Sequence, residues 1–571
     1  MPVIEFNFKK LLHYLDFEIT KEEFVELIPS LGADVERVEE EEMAVEFFPD
    51  RPDLYSVEGI GRAFRNFYKM RRFLGKRNSE IFFDEHIYNV KPSDIELRVD
   101  PNLKDIRPYI GCALIKGLEF DERDIQGLMN FQEKLHLTVG RKRKKVAIGI
   151  HDFDAVSPPF KYFGSPPNDR AFVPLGETKE MTLREILEKH EKGREYRHLV
   201  EDKPLFPLIE DKEGKVLSFP PIINSVTTTV TENTRNIFLD ITGTHEETVM
   251  SVLAIVSTSF GEMGGEIYSL RLVDVHGREK MIPDLTPGKM EIEREYINKM
   301  LGRDFSEKEI SFFLKGMGFG VEKIENGLMR VLIPAYRADI LHPIDLVEDV
   351  AVACAYMSFS GTRPESMTYG KRLYPKLEKI RNYMSGIGFS EVMTLMLSSE
   401  DVLYNQMNIS EPEEEIKIKN PITKEHTTLR TWLAPGLLTL LKNNRHRDLP
   451  QRIYELDYVF KGITPVLCLE AVEISTTASF SDAKSYLKGV LEAMSESFLH
   501  GFDVEFVPVE HGSFIKGRVA EVKLVDKEDE KHSFGFFGEI HPVVLRNFSL
   551  EHPVCYFSLK LNFLAERGLL G

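Results

Sequence analysis

No stretch of this chain stays apolar for anything near the roughly 20 residues that a bilayer-spanning helix needs, and the amino terminus, MPVIEFNFKK, lacks the apolar core of a signal peptide. The expected location is therefore the cytoplasm, with no membrane partner. Cysteine is scarce: Cys112, Cys354, Cys468 and Cys555 lie far apart with no CxxC pair. That spacing excludes a disulfide framework and a cysteine zinc site, and it predicts buried thiols. Positive charge is also in deficit, with 73 bases against 92 acids and a net charge of −19, which rules out a general basic coat for nucleic acid. What remains is the composition of a folded protein, 42% hydrophobic and 29% charged, long enough at 571 residues for about four domains.

Local basic patches survive the overall deficit. GRKRKKVAIGIHD carries Arg141 to Lys145 in a row, and YKMRRFLGKR forms a second cluster; each reads either as a solvated loop or as a nucleic-acid contact.

Helix and strand grammar divides the chain into four parts. In the first, residues 1–85, Thr20 and Glu23 form a capping box with Gly32 as a stop. Pro49 and Pro52 then bracket a turn before an amphipathic helix, and GKRNSEIFFDEH reads as a linker. Residues 86–280 read as α+β. DERDIQGLMNFQEKLH has helical spacing, KVAIGIH, NIFLDITGT and EIYSLRLVDVHG alternate as strands, and the Pro- and Thr-rich run GKVLSFPPIINSVTTTVTENTRN reads as a loop. Residues 281–360 combine a capping box, Ser306 with Glu309, and a hairpin turning on Asn326-Gly327: a small helical domain with a wing. From 361 to 571, strands and helices alternate with long excursions, as in an antiparallel sheet flanked by helices. The fold class is α+β, multidomain.

The stretch DILHPIDLVEDVAVACAY places Asp339, Asp345, Glu348 and Asp349 within eleven positions. At helical pitch the last three share a face, opposite Leu346, Val347, Val350, Cys354 and Met357. Two readings stand at this point. Asp345 is an N-cap with Glu348 as its reciprocal partner, or strand-end Asp339 joins the helix-start acids around a hard divalent cation.

The segments fall in the order of a known family. FFPDRPDLYSVEGIGRAF, AIGIHDFDAVSPPF, GREYRHLV, VLSFPPIINSVTTTVTENTRNIFLDITGT, IPAYRADILHPIDLVEDVAVACAY, NPITKEHTTLRTWLAPGLL, RIYELDYVF and FFGEIHP make the chain resemble phenylalanyl-tRNA synthetase beta subunits of the archaeal and eukaryotic cytosolic type, almost end to end. The resemblance implies an N-terminal α/β segment, a tRNA-editing domain, a winged-helix-like domain and a class II synthetase-like antiparallel module without catalytic motifs. It implies an (alpha-beta)2 heterotetramer in which alpha binds ATP and L-phenylalanine, charges tRNA(Phe) and packs on this module. It implies Mg2+ as cofactor, with Asp339, Asp345, Glu348 and Asp349 as ligands. It also implies hydrolysis of mischarged Tyr-tRNA(Phe) in a pocket built from SFPPIIN and LDITGT. Ser218, Asn224, Asn236, Asp240, Thr242 and Thr244 are the polar candidates there, with Leu199 and Pro220 to Ile223 as wall.

The residues support that division of labour. FGFFGEIHPVVLRNF offers no GxGxxR, so the last segment is expected to lack catalysis of its own, with Arg430, Trp432 and LAPGLLTLL serving packing and subunit contact. No Ser-His-Asp order or metal motif is evident in the editing segment, which points to a positioned water, with His151 and His198 structural. A stand-alone editing hydrolase and a non-catalytic tRNA-binding protein are the competing readings. The complete module after residue 364 separates them, because a free editor has no need of it.

Overall fold

Local signals become structure where the sequence carries both partners of an interaction. Thr20 Oγ1 accepts from the Glu23 N–H while Glu23 accepts from the Thr20 N–H, and helix Lys21–Leu27 starts there; Ser306 and Glu309 do the same for Glu307–Gly316. Gly32 ends the first helical stretch with φ of 79°, a left-handed conformation that favours glycine. The computed structural model describes residues 2–73, 83–84, 87–325, 327–361, 363, 377–410, 415–495 and 498–570. Asn326 and most of the expected linker GKRNSEIFFDEH lie outside these, as does the end of the second basic cluster.

The chain folds as two compact units, Met1–Arg363 and Pro364–Gly571. In the first, a three-stranded sheet (Val3–Asn7, Glu42–Phe47, Ala33–Val38) packs with helix Val57–Phe73. Among the described residues, ten strands then form one large sheet. Its path runs Ile223–Asn224, Val216–Phe219, Phe206–Glu210, Phe160–Ser165, Val90–Val99, Glu266–Val273, Tyr109–Lys116, Asn236–Gly243 and Val146–Asp152, with Glu279–Ile282 paired to Glu266–Val273. The run read as a plain loop is therefore a correction: it contributes two of these strands and a 3-10 turn, Val226–Thr228, because Val216 to Phe219 is buried throughout and pairs with a strand on each side. A second three-stranded sheet (Gly288–Glu293, Leu328–Ile333, Gly320–Glu325) with helices Arg294–Leu301, Glu307–Gly316 and Pro343–Ala353 completes the unit. One hydrophobic cluster runs from Ile4 and Phe64 through Ile115 and Leu253 to Ile310 and Leu346.

Strand alternation decides which side chains of the large sheet meet the site. Gly111 lies opposite Ile241 and faces helix Glu246–Glu262, close against Leu253 and Val249. Asp240 and Thr242, one step out of phase, point to the other face together with their cross-strand partners Gly149 and Ala147.

The second unit is a seven-stranded sheet among the described residues, ordered Ser390–Glu391, Gln451–Lys461, Thr464–Ile474, Val554–Lys560, Lys531–Ile540, Phe514–Val525 and Asp503–Pro508. It is antiparallel except at the Ser390–Glu391 edge. Leu487 and Val490 of helix Phe480–Ser495 share a core with Ala471 and Phe557, whereas Leu437 and Leu441 of helix Ala434–Asn443 share another with Val472 and Tyr556. Neighbouring residues of one strand thus serve opposite faces, and helices cover both. All four cysteines are buried and unpaired.

Candidate functional site

A cavity of about 610 Å³ opens on the face of the large sheet that carries Asp240. Helix Glu122–Leu137 forms one wall through Ile125, Leu128 and Gln132, so the helical spacing seen in the sequence supplies a binding surface as well as a core face. Asp121 caps this helix in a reciprocal box with Asp124. The opposite wall is Phe219 to Ile223.

Of the six polar candidates and Leu199, four line this cavity: Ser218, Asn224, Asp240 and Thr242. Asp240 is 1% exposed; its Oδ2 lies 2.7 Å from His151 Nε2 and accepts from Ser218 Oγ at 3.5 Å. Arg107 donates through Nε to Thr242 Oγ1 (3.0 Å) and through Nη2 to the Thr242 carbonyl (2.6 Å), which leaves the threonine's own proton for the cavity. Burial, against the opposing pull of Tyr162 and Asp240, lowers Arg107 to about 10.

The other three do not line it. Asn236 starts its strand four residues from Asp240, about 13 Å away at strand rise, and donates to both oxygens of Asp154 at 3.1 Å. Thr244 is exposed and bonds the Lys144 carbonyl. Leu199 packs in a satellite core with Phe163, Phe206 and Val216.

Residues outside the candidate set build the cavity too. His151 is fully buried and bridges Asp240 to Thr228, whose Oγ1 lies 2.8 Å from Nδ1. Arg143 fits neither reading of its run, as a solvated loop or as a nucleic-acid contact. It is buried, donates to the Ile222 carbonyl (2.9 Å) and to Glu133 (2.6 Å), and lies over the Tyr196 ring at 4.5 Å, while Arg141, Lys142 and Lys144 are exposed. Burial of Glu133 is overcome by its bond with His136 and by Arg143, which together bring it down to about 2. Burial lowers His136 to about 4. His136 Nε2 accepts from the Ile148 N–H, which assigns its proton to Nδ1. A period-2 reading of VAIGIHD already puts Gly149 and His151 on one face; nothing in the sequence gives their register against Asp240.

The acidic cluster is organised by arginine. Arg337 is buried and donates to both oxygens of Asp339 (2.9 and 2.7 Å) and to Asp349 Oδ2 (2.6 Å). Burial pushes the Asp349 carboxyl up and outweighs the Arg337 charge, whereas at Asp339 burial is outweighed by that charge and its hydrogen bonds, which hold the carboxyl down. Asp345 is not the N-cap. His342 caps helix Pro343–Ala353, because Pro343 takes the first helical position and Asp345 falls at the third, where its Oδ2 accepts from the Leu341 and His342 N–H groups at 2.7 Å. Glu348 is exposed; Met357, expected on the apolar face, lies beyond the helix end and is 95% exposed. Among the described residues, no three of the four acids bring carboxylate oxygens within 4.8 Å of one another.

In the second unit Arg430 and Trp432 are held in place. Arg430 donates to Glu455 (2.6 Å), Asp457 (2.8 Å), Thr394 Oγ1 (3.0 Å) and the Tyr458 carbonyl (2.9 Å). Trp432 donates to the Tyr556 hydroxyl (2.7 Å), which donates to Glu470 (2.7 Å). Glu470 also accepts from the Leu433 and Ala434 N–H groups, and burial raises it to about 7.

No helix among the described residues is long and apolar enough to cross a membrane. Residues 362–561 match the model of the phenylalanyl tRNA synthetase beta chain CLM domain, and residues 290–356 match the tRNA synthetase B5 domain. The chain is 39% identical to the phenylalanine-tRNA ligase beta subunit of Methanospirillum hungatei JF-1 over 99% of this chain and 98% of that one. It is likewise 39% identical to the beta subunit of Thermococcus gammatolerans, over 98% of each. A crystal structure of an N-terminal fragment of the phenylalanyl-tRNA synthetase beta subunit from Pyrococcus horikoshii aligns with a TM-score of 0.58 and 40% identity, covering 62% of this chain and 99% of the fragment. With B5 and CLM segments in a mixed α+β architecture and full-length identity at this level, the chain belongs to the phenylalanine-tRNA ligase beta subunit family.

Proposed function

We propose that this chain works with an alpha subunit in an (alpha-beta)2 heterotetramer: alpha uses ATP to attach L-phenylalanine to tRNA(Phe), and the Asp240 cavity hydrolyses tyrosine from mischarged tRNA(Phe). The observation that carries the hydrolytic reading is a buried carboxylate, Asp240, presented to a mostly apolar cavity with Thr242 and Asn224 beside it. Such a site accepts an aromatic ring and bonds a phenolic hydroxyl. A pocket built to bond a hydroxyl rejects the analogue lacking it by about 10⁴–10⁵, because the buried acceptor is then left unpaired. Ser218 donates to the carboxylate that His151 already holds and is not paired with an imidazole base, so the reading is attack by a positioned water.

The proposed domain division is 1–85, 86–280 for editing, 281–360 winged-helix-like, and 361–571 as a class II synthetase-like module that packs on alpha. In the last, the saturated bonding of Arg430 supports a scaffold role. The exposed part of the basic run, Arg141, Lys142 and Lys144, lies close in sequence to Arg143 of the cavity wall and is assigned, with half-buried Lys145, to guiding tRNA(Phe).

Mg2+ belongs to the same proposal. Arg51 is spent on Asp53, and Arg337 is shared by Asp339 and Asp349, so adding Asp345 and Glu348 leaves the region with an excess of carboxylate. Oxygen donors in excess suit a hard cation. Glu348 and Asp345 would hold it, with Asp339 and Asp349 as the Arg337-bound remainder of the donor set, and the ion would supply charge neutralisation at the start of helix Pro343–Ala353.

The test separates the two activities. Asp240→Ala in the complex with alpha is expected to slow Tyr-tRNA(Phe) deacylation by at least about 100-fold while leaving Phe-tRNA(Phe) synthesis intact. Equal loss of both activities would overturn the assignment of hydrolysis to this cavity.

A further inference from the structure

Asp240 is a two-oxygen acceptor with only one oxygen held. Oδ2 is taken by His151 and Ser218, and no described residue donates to Oδ1. Three neighbours produce this asymmetry. Gly149 lies directly opposite Asp240 in the antiparallel ladder, on the same face. The Asp240 side chain leans across it: a Cβ at 149 would stand 2.8 Å from Asp240 Cγ and 2.8 Å from His151 Nε2, and nearer still to Oδ2. Gly149 is absent from the positive-φ glycines, so its backbone does not require glycine; the space above it does.

His151, two residues along the same strand, meets Oδ2 from the side. Its Nε2 lies 2.7 Å from Asp240 Oδ2 and its Nδ1 lies 2.8 Å from the Thr228 hydroxyl, which also lies 3.3 Å from the Ser225 carbonyl. Thr228 is itself fixed by the 3-10 turn Val226–Thr228, where its N–H donates to the Ser225 carbonyl.

We propose that Gly149, His151 and Thr228 are positioning residues that turn Asp240 so that Oδ1 alone faces the substrate side chain, and that this orientation sets the preference for a phenol over an unsubstituted ring. The inference rests on reading the cavity as the deacylation site. A phenolic hydroxyl donates to Oδ1; a phenylalanyl ring leaves that oxygen buried without a donor. If Asp240 swings away, the ring still fits between Ile223 and the helix wall, and the discrimination is lost before the binding is.

The experiment uses the full chain with its alpha subunit and reads kcat/KM for deacylation of Tyr-tRNA(Phe) and of Phe-tRNA(Phe). Gly149→Ala and His151→Ala are each expected to lower the Tyr-to-Phe ratio by about 10-fold or more, through a fall in the tyrosyl value. His151→Gln, whose amide N–H can donate to Oδ2, is expected to restore the ratio to within about 3-fold. Phe-tRNA(Phe) synthesis and melting temperature are followed in parallel. An unchanged ratio in folded Gly149→Ala and His151→Ala proteins, or a Gln variant as indiscriminate as the Ala variant, overturns the positioning role. Should Gly149→Ala fail to fold, the two His151 variants decide the matter alone. A wild-type complex that hydrolyses neither ester removes the deacylation reading itself and this inference with it, whereas a discriminating wild type with equally discriminating variants removes the inference only.

Discussion

Asp240 in the first unit and Glu455 in the second are both sealed acids on the strands of a large sheet, 1% exposed each, yet they are partnered in opposite ways. Glu455 has both oxygens filled, Oε1 by Arg430 and the Thr394 N–H and Oε2 by the Thr394 hydroxyl. Asp240 lines a cavity with Oδ2 engaged by His151 and Ser218, and no described residue donates to its Oδ1. A buried acid whose bonding is complete stabilises one arrangement; a buried acid left half-bonded at a void recognises something that arrives. The contrast fits the proposed division, with ligand chemistry in the first unit and scaffolding in the second.

The largest effect tests the scaffold side. Arg430→Met leaves Glu455 and Asp457 without their cation and is expected to destabilise the second unit by about 3–5 kcal/mol, since removing one partner strands a buried charge. Denaturant unfolding of the chain with alpha reads it. A loss under about 1 kcal/mol would show the network to be dispensable and erase the contrast.

The next sharpens the contrast through pH. His136, at about 4 in the fold against 6.5 unfolded, contributes fully above pH 6.5 and loses that contribution as pH falls through 4. Glu470, at about 7 against 4.5, contributes fully below pH 4.5 and loses it as pH climbs through 7. Each shift corresponds to about 3 kcal/mol at 1.36 kcal/mol per pH unit, with opposite sign. His136→Asn should therefore lose least against wild type in acid, and Glu470→Gln should compare most favourably near pH 8. Melting temperatures from pH 4.5 to 8 that run parallel to wild type in both variants would break the comparison.

Magnesium gives a smaller effect. The alpha-containing complex is expected to gain a few degrees in melting temperature on Mg2+ addition after chelation, about what 1 kcal/mol produces in a domain of this size, and Glu348→Gln should reduce that gain. Glu348 is the suitable position because it is exposed, whereas Asp349 is tied to Arg337 and its replacement destabilises by itself. A magnesium-independent wild type returns the cluster to an acidic helix face organised by Arg337.

The smallest concerns the exposed bases. Neutralising Arg141, Lys142 and Lys144 together should flatten the salt dependence of tRNA(Phe) binding by about 0.7–0.9 in log–log slope for each phosphate that these side chains no longer neutralise. Arg143 is left in place because it holds the cavity wall. An unchanged slope makes the run a solvated loop.

Much of this molecule was legible from local patterns. Both capping boxes formed as read, the strands NIFLDITGT and KVAIGIH formed where alternation put them, and the strand-helix alternation after residue 361 became a sheet between helices. Such signals depend on residues a few positions apart, which meet in any compact fold of the segment. Where proline altered the phase, the local reading slipped: Asp345 lost the N-cap to His342 because Pro343 moved the helix start.

By itself, the sequence determined the family, the element types, the buried cysteines and the short list from which the cavity draws Ser218, Asn224, Asp240 and Thr242. Tertiary structure alone decided that Asn236, Thr244 and Leu199 stand apart from that cavity, that Arg143 leaves a basic run to brace its wall, and that Arg337 claims two of four candidate ligands. It also decided that His151 stands behind Asp240, 89 positions away in sequence. The physical reason is register. A strand's side chains alternate with period two whatever its neighbour, but which residue of the next strand lies across from Asp240 depends on how two distant segments align, and a shift of one residue would have set Ile148 or Ile150 there in place of Gly149.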